Sequence, residues 1–209
     1  MMKKLLLLVL LNLPGQGDSF LEEVSLYSAD SYFKEKVYAE HDYKSFFQLK
    51  EANQVVDAYR YDLHLLGAAV FFATNQLRDK KGLKQLQFAA GLRDAAVVHS
   101  YQMVEKKFFD HFNNKTRKLR SPDDRIKLYH SNFNATGENI DYNHIPVSGK
   151  TTYADVGKAI VDDFFHSAPH KKIMLNKIYN QLGCAVYFES KPKDGLIYYK
   201  ATQDYSLGN

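Results

Sequence analysis

Apolar residues recur at intervals of three or four from Leu63 to Phe165, then give way in Leu182–Glu189 and Leu196–Gln203 to runs rich in β-branched and aromatic residues. That late change of period restricts the chain to helices first and strands afterwards. Leu66, Val70 and Leu77 mark one helix, which should stop at Gly82, a residue able to adopt the left-handed conformation that closes helices. Phe88, Leu92, Ala95, Ala96, His99 and Met103 mark a second and put His99 on its inward side. Ser121-Pro122-Asp123 opens a short third helix through Arg125, Ile126, Leu128 and Tyr129, and Val156, Ile160 and Phe164 mark a fourth over Tyr153–Phe165. The two late runs flank Pro192-Lys193-Asp194-Gly195 and should pair as an antiparallel hairpin. With no βαβ alternation, the expected class is α+β in layers.

The first seventeen residues read as an address. Met1–Lys4 is a short basic start, Leu5–Leu13 an apolar run, and Pro14-Gly15-Gln16-Gly17 a helix-breaking stretch suited to cleavage. Nine residues fall far short of the roughly 20 that cross a bilayer as a helix, so a secreted product is expected, whether periplasmic, cell-surface or extracellular. Removing Lys3 and Lys4 from the 28 basic residues leaves 26 against 24 acidic ones, too small an excess for nucleic acid to be a default partner. Cys184 has no second cysteine to pair with, so stability should come from core packing, and a monomer is expected. Residues 18–61 contain neither Pro nor Gly and are rich in Tyr and Phe. They read as a partly helical extension packed on a domain spanning 62–209.

Three histidines stand in constrained contexts. His99 lies among small alanines, His111 follows Phe108-Phe109-Asp110 in what reads as an aromatic anchor ending the helix, and His170 follows Ser167-Ala168-Pro169, which reads as a helix exit. Glu138 sits in Gly137-Glu138-Asn139-Ile140, beside a glycine that permits close approach. Imidazoles and a carboxylate are what Zn²⁺ prefers, and they also serve as base and electrostatic partner around a water, but their spacing fits no short metal signature. His41, His64, His130, His144 and His166 read as loop or helix-surface residues with no site role.

In order, Asn75-Gln76-Leu77-Arg78, Ala95–Met103, Phe108–His111, Pro122–Ile126, Gly137–Ile140, Ser167–His170 and Leu182-Gly183-Cys184 resemble the bacterial branch of the CAP superfamily, also called SCP-like. The resemblance covers about Leu66 to Tyr205 and implies a three-layer α-β-α sandwich with a central antiparallel sheet and a surface cleft. It also implies that His111, Glu138 and His170 line the cleft and that some members hold a divalent ion there. Ser167 falls where many eukaryotic members carry a second acid, and His99 matches a position often His in the bacterial branch. Phe164 replaces the usual Trp, and Ala89 stands where an Asp would often cap the second helix.

Two functions follow as expectations. One is a non-enzymatic secreted module whose cleft binds a protein or lipid-like ligand; neither Ser100 nor Ser167 has an Asp placed in sequence to orient its neighbouring His. The other is a divalent-metal-dependent hydrolase, a peptidase or nuclease, in which His111 and His170, with His99 as a candidate further ligand, hold Zn²⁺ while Glu138 activates water. A third role, a buried polar network, is compatible with either.

Overall fold

The computed structural model describes residues 31–208; the expected leader and the extension through Asp30 lie outside them. Short helices Lys36–Glu40 (α1) and Tyr43–Phe46 (α2) precede the long helix Leu63–Lys80 (α3). Asp62 caps α3 by accepting the N–H groups of His64 and Leu65. At its far end Gly82, at φ 68°, allows the N–H of Leu83 to reach the Arg78 carbonyl at 2.9 Å, which closes the helix where the sequence reading placed its end. The helix expected from Phe88 starts two residues later, as Ala90–Glu105 (α4), because Gln87-Phe88 form a short strand (β1). Pro122–Tyr129 (α5) carries a reciprocal cap between Ser121 and Asp124.

A fourteen-residue strand, Phe133–Pro146 (β2), was not anticipated from the sequence. Tyr153–His166 (α6) follows, and then Ala168–Met174 (α7). Ser167-Ala168-Pro169 is therefore no mere exit: the chain turns at Ser167 and starts a new helix with Pro169 in its first turn. Gln181–Phe188 (β3) and Leu196–Gly208 (β4) form the expected hairpin, and β4 runs five residues further than its apolar run suggested. Asp194 and Gly195 both have positive φ, 53° and 75°, the geometry that two-residue hairpin turns need.

The sheet order is β1-β3-β4-β2; β4 pairs antiparallel with both neighbours, and β1 joins β3 in parallel. Leu182, Cys184, Val186 and Phe188 of β3 join the main core with α3 and α6, whereas Ala185 packs on Ala96 and Val97 of α4. Helices thus cover both faces of the sheet, giving the α-β-α sandwich. Two glycines set the layer spacing: a Cβ on Gly67 of α3 would lie 2.5 Å from the Cys184 carbonyl oxygen, and one on Gly183 would lie 2.0 Å from the Arg93 nitrogen. Phe33, Val37, Tyr43 and Phe46 enter the main core, and Tyr38 stacks on Phe88 at 3.7 Å. Described residues before Tyr61 are therefore packed against the domain rather than held away from it. Among the described residues, no helix is long and apolar enough to cross a membrane.

Candidate functional site

Strand β2 places Glu138 beside Asp204 of β4, on the sheet face covered by α4 and α5. The Glu138 side chain is only 1% exposed, a position that costs several kcal/mol for an ionised carboxylate unless cations compensate. Arg125 supplies that charge: its Nη2 donates to Oε2 at 2.5 Å, while His111 Nδ1 donates to Oε1 at 2.7 Å and His99 Nε2 lies 3.8 Å from the same oxygen. Burial alone would raise the pKa of Glu138, but the His111 hydrogen bond and the His99 and Arg125 charges hold it below the usual carboxylate value.

Arg125 is the hub. Fully buried, it also donates to the carbonyls of Leu119, Arg120 and His111, tying the loop after α4 to the carboxylate beneath it. Asn113 and Thr116 add bonds from that loop to Gln102 of α4. His111 is therefore positioned by its own carbonyl and by its ring, while the ring stays 41% exposed. The aromatic anchor expected beside it is only partial: Phe108 lies against His99 at 5.9 Å, but Phe109 and Phe112 face solvent.

Sequence reasoning missed two members of this network. Arg125 appeared in a short helix and within the Pro122–Ile126 motif without a site role, and Asp204 fell beyond the expected end of β4. Asp204 is fully buried, across the β2–β4 ladder from Glu138. Burial and then the Glu138 charge push its pKa well up.

His99 is sealed inside, donating from Nε2 to the Asp110 carbonyl at 3.1 Å, and burial lowers its pKa to about 4. It has no exposed surface for a ligand. His170, half-buried on α7, rests edge-on against Phe164 at 5.2 Å, and its carbonyl accepts from Asn139 on β2. Burial lowers its pKa and the charge of His111 adds to the effect, so the two imidazoles share one region. Ser167 joins α6 to α7, and its side chain makes no capping bond. Ser100 is buried and hydrogen-bonded to Thr202, out of reach of any substrate. His64, expected on a surface, is instead buried in α3 with both ring nitrogens unpartnered, and burial lowers its pKa to about 3.

A Zn²⁺ ion held as the resemblance implies would need His111, His170 and Glu138 around one point. Glu138 has turned its oxygens toward Arg125 and His111, and His111 has spent Nδ1 on that bond. Among the described residues, no three His, Cys, Asp or Glu side chains are grouped to hold a metal ion. The donors present do not fit a three-ligand centre.

Comparison with known proteins agrees with this architecture. An uncharacterized membrane protein of Bacillus subtilis, YlbC, is 34% identical over 113 residues, 54% of this chain and 29% of its own length. A second B. subtilis protein, the uncharacterized YkwD, is 33% identical over 117 residues, 56% of this chain and 40% of its own. The chain thus spans well under half the length of these relatives. Among solved structures, an extracellular SCP-domain protein of Bacillus anthracis superposes with a TM-score of 0.52 at 24% identity, covering 69% of this chain and 41% of that one. Residues 71–205 match the cysteine-rich secretory protein family, and with the sandwich and the ordered motifs in place the chain belongs to that family, the CAP family.

Proposed function

We propose that this protein is a secreted, non-enzymatic binding module in which His111 and His170 touch the partner while Glu138 and Arg125 form their foundation. The observation that carries this reading is the state of Glu138: 1% exposed, with one oxygen bound by Arg125 and the other by His111, and its proton affinity lowered. A carboxylate that activates water must reach water and hold a proton near the working pH, and this one meets neither requirement. The exposed ring of His111 and the half-buried ring of His170 offer hydrogen-bonding edges to a protein or lipid-like partner. Export is supported by the basic-apolar leader and by the extracellular description of the B. anthracis neighbour.

The test compares the wild type with a His111→Ala/His170→Ala protein. Zn²⁺-loaded wild type should cleave neither casein nor single-stranded DNA. On immobilised protein, envelope extracts of the producing cell should yield a species retained by the wild type and lost from the double variant. Zinc-dependent turnover that disappears on His111→Ala would establish the hydrolase in place of the binding module.

A further inference from the structure

Beside this site, at the end of α4, lies a cleft of about 710 Å³ that the reading above does not use. Its floor is aromatic. Phe109 and Tyr142 are 46% and 45% exposed with ring centres 5.7 Å apart, and Lys200 Nζ lies 5.1 Å from the centre of the Tyr142 ring. Its rim is polar and of both signs, with Lys107 and Lys191 among the cations and Glu105 and Glu189 among the acids. Isolated exposed apolar side chains are ordinary, but a contiguous strip inside a concave site is the pattern of a binding surface.

Lys107 adds an independent observation. It follows the last turn of α4 at φ 52°, where its N–H bonds the Val104 carbonyl and the N–H of Phe108 bonds that of Met103. This is the left-handed closing position that glycine fills at Gly82, and a side chain there costs about 1 kcal/mol. The chain carries a lysine at a position glycine would fill with less strain, and its side chain lines the cleft.

We propose that this cleft binds an acidic polysaccharide. The C–H face of a sugar ring is weakly positive and matches the negative faces of Phe109 and Tyr142. Hydroxyls can donate to Glu105, Glu189 being paired with Lys200 at 3.5 Å, and carboxylates on the glycan pair with Lys107 and Lys191. A peptide joining the sheet along β2 fits less well. The edge N–H of His144 is already taken by the Asn143 side chain at 2.8 Å, and that of Tyr142 by the carboxylate of Asp141.

Affinity electrophoresis through gels containing polygalacturonate, alginate or hyaluronate tests the assignment, with dextran and polyglutamate as controls. At least one acidic polysaccharide should retard the wild type, and dextran and polyglutamate should not. Phe109→Ala and Tyr142→Ala, at exposed rings, should each weaken retardation roughly three- to tenfold. Lys107→Gly should weaken it while leaving the melting temperature equal or higher, because it relieves the backbone; a loss of binding through misfolding would move both together. His111→Ala should bind as the wild type does, which separates this site from the function proposed above. Absence of retardation by all three acids, equal retardation by polyglutamate, or retardation insensitive to both ring substitutions would overturn the proposal.

Discussion

The two faces of strand β4 are built from alternate residues of one sequence run, yet they follow different rules. Toward α3 and α6 it presents Ile197, Tyr199, Ala201 and Tyr205, all in the main core, with Gln203 tied between Thr74 and the Tyr205 hydroxyl. Toward α4 and α5 it presents Lys200, Thr202, Asp204 and Ser206, every one of them buried. Lys200 donates to the Met103 carbonyl, Thr202 pairs with Ser100, and Ser206 donates to Gln181. The first face gains stability from area removed from water; the second holds a network whose worth depends on every member keeping its partner. The network of Glu138, Arg125 and His111 stands on the second face, so its geometry is fixed by charges and hydrogen bonds rather than by packing.

The largest effect should come from breaking that network at its hub. Arg125→Met leaves a buried carboxylate without its principal cation and should cost about 3–5 kcal/mol in urea unfolding. Adding Glu138→Gln to the same protein should recover part of the loss, since the uncompensated charge is gone. A loss below about 1 kcal/mol in Arg125→Met would mean that the polar face is maintained by packing after all. On the opposite face, Leu66→Ala removes a side chain with no solvent exposure and should cost about 2–5 kcal/mol through the cavity left behind. That variant should keep the environment of His111 unchanged by NMR, whereas Arg125→Met should shift it.

One acid lies on the apolar side and sharpens the contrast. Asp141 pairs with Ala201 across β2 and β4, and one of its carboxyl oxygens is buried without a partner. Burial, with the charge of Asp163 added, pushes its pKa up to about 7. The folded protein therefore keeps this proton where the unfolded chain has released it, so the residue's contribution is fully present below about pH 4 and is lost as pH rises to about 7. Burial of His64 and His99 acts in the opposite sense over part of that range, so the wild-type curve alone does not isolate the effect. The difference between Asp141→Asn and wild type does. It should move in favour of the variant across this window by at most about 1.4 kcal/mol per pH unit and stay flat above it. A difference that is constant from pH 4 to 7 would show Asp141 to be solvated and ionised throughout.

This contrast also separates what was legible in the sequence from what was not. Helices α3, α4, α5 and α6 announce themselves because each buries a stripe against the sheet, and their ends carry Gly82, Ser121 and Thr152. The hairpin was readable from its Asp194-Gly195 turn. Strand β2 was not: its buried positions include Glu138 and Asn139, side chains that a hydrophobic pattern counts as solvent-facing. The same blindness cut β4 short at Gln203, since Asp204 and Ser206 read as loop residues although both are fully buried. His111, Glu138 and His170 were singled out by local context and motif order, but nothing in a single sequence says that Arg125, though inside the Pro122–Ile126 motif, pairs with Glu138, or that Asp204 lies across the ladder from it.

The smallest predicted effect concerns the helix that separates the polar face from solvent. Ala89 occupies the N-cap of α4 and offers no side-chain acceptor, so the N–H groups of Gly91 and Leu92 lack the cap that Asp62, Ser121 and Thr152 give the other long helices. Ala89→Ser supplies an oxygen at little cost in volume and should stabilise by about 0.5–1 kcal/mol, read as a higher urea midpoint with an unchanged slope. Ala89 is nearly buried beside Leu92, Ala95 and Ile126, so its backbone is already held in the extended geometry that a cap requires. If the serine hydroxyl turned instead into that apolar cluster, the midpoint would fall, and the start of α4 would then be fixed by the packing of Ala89 rather than limited by its missing cap.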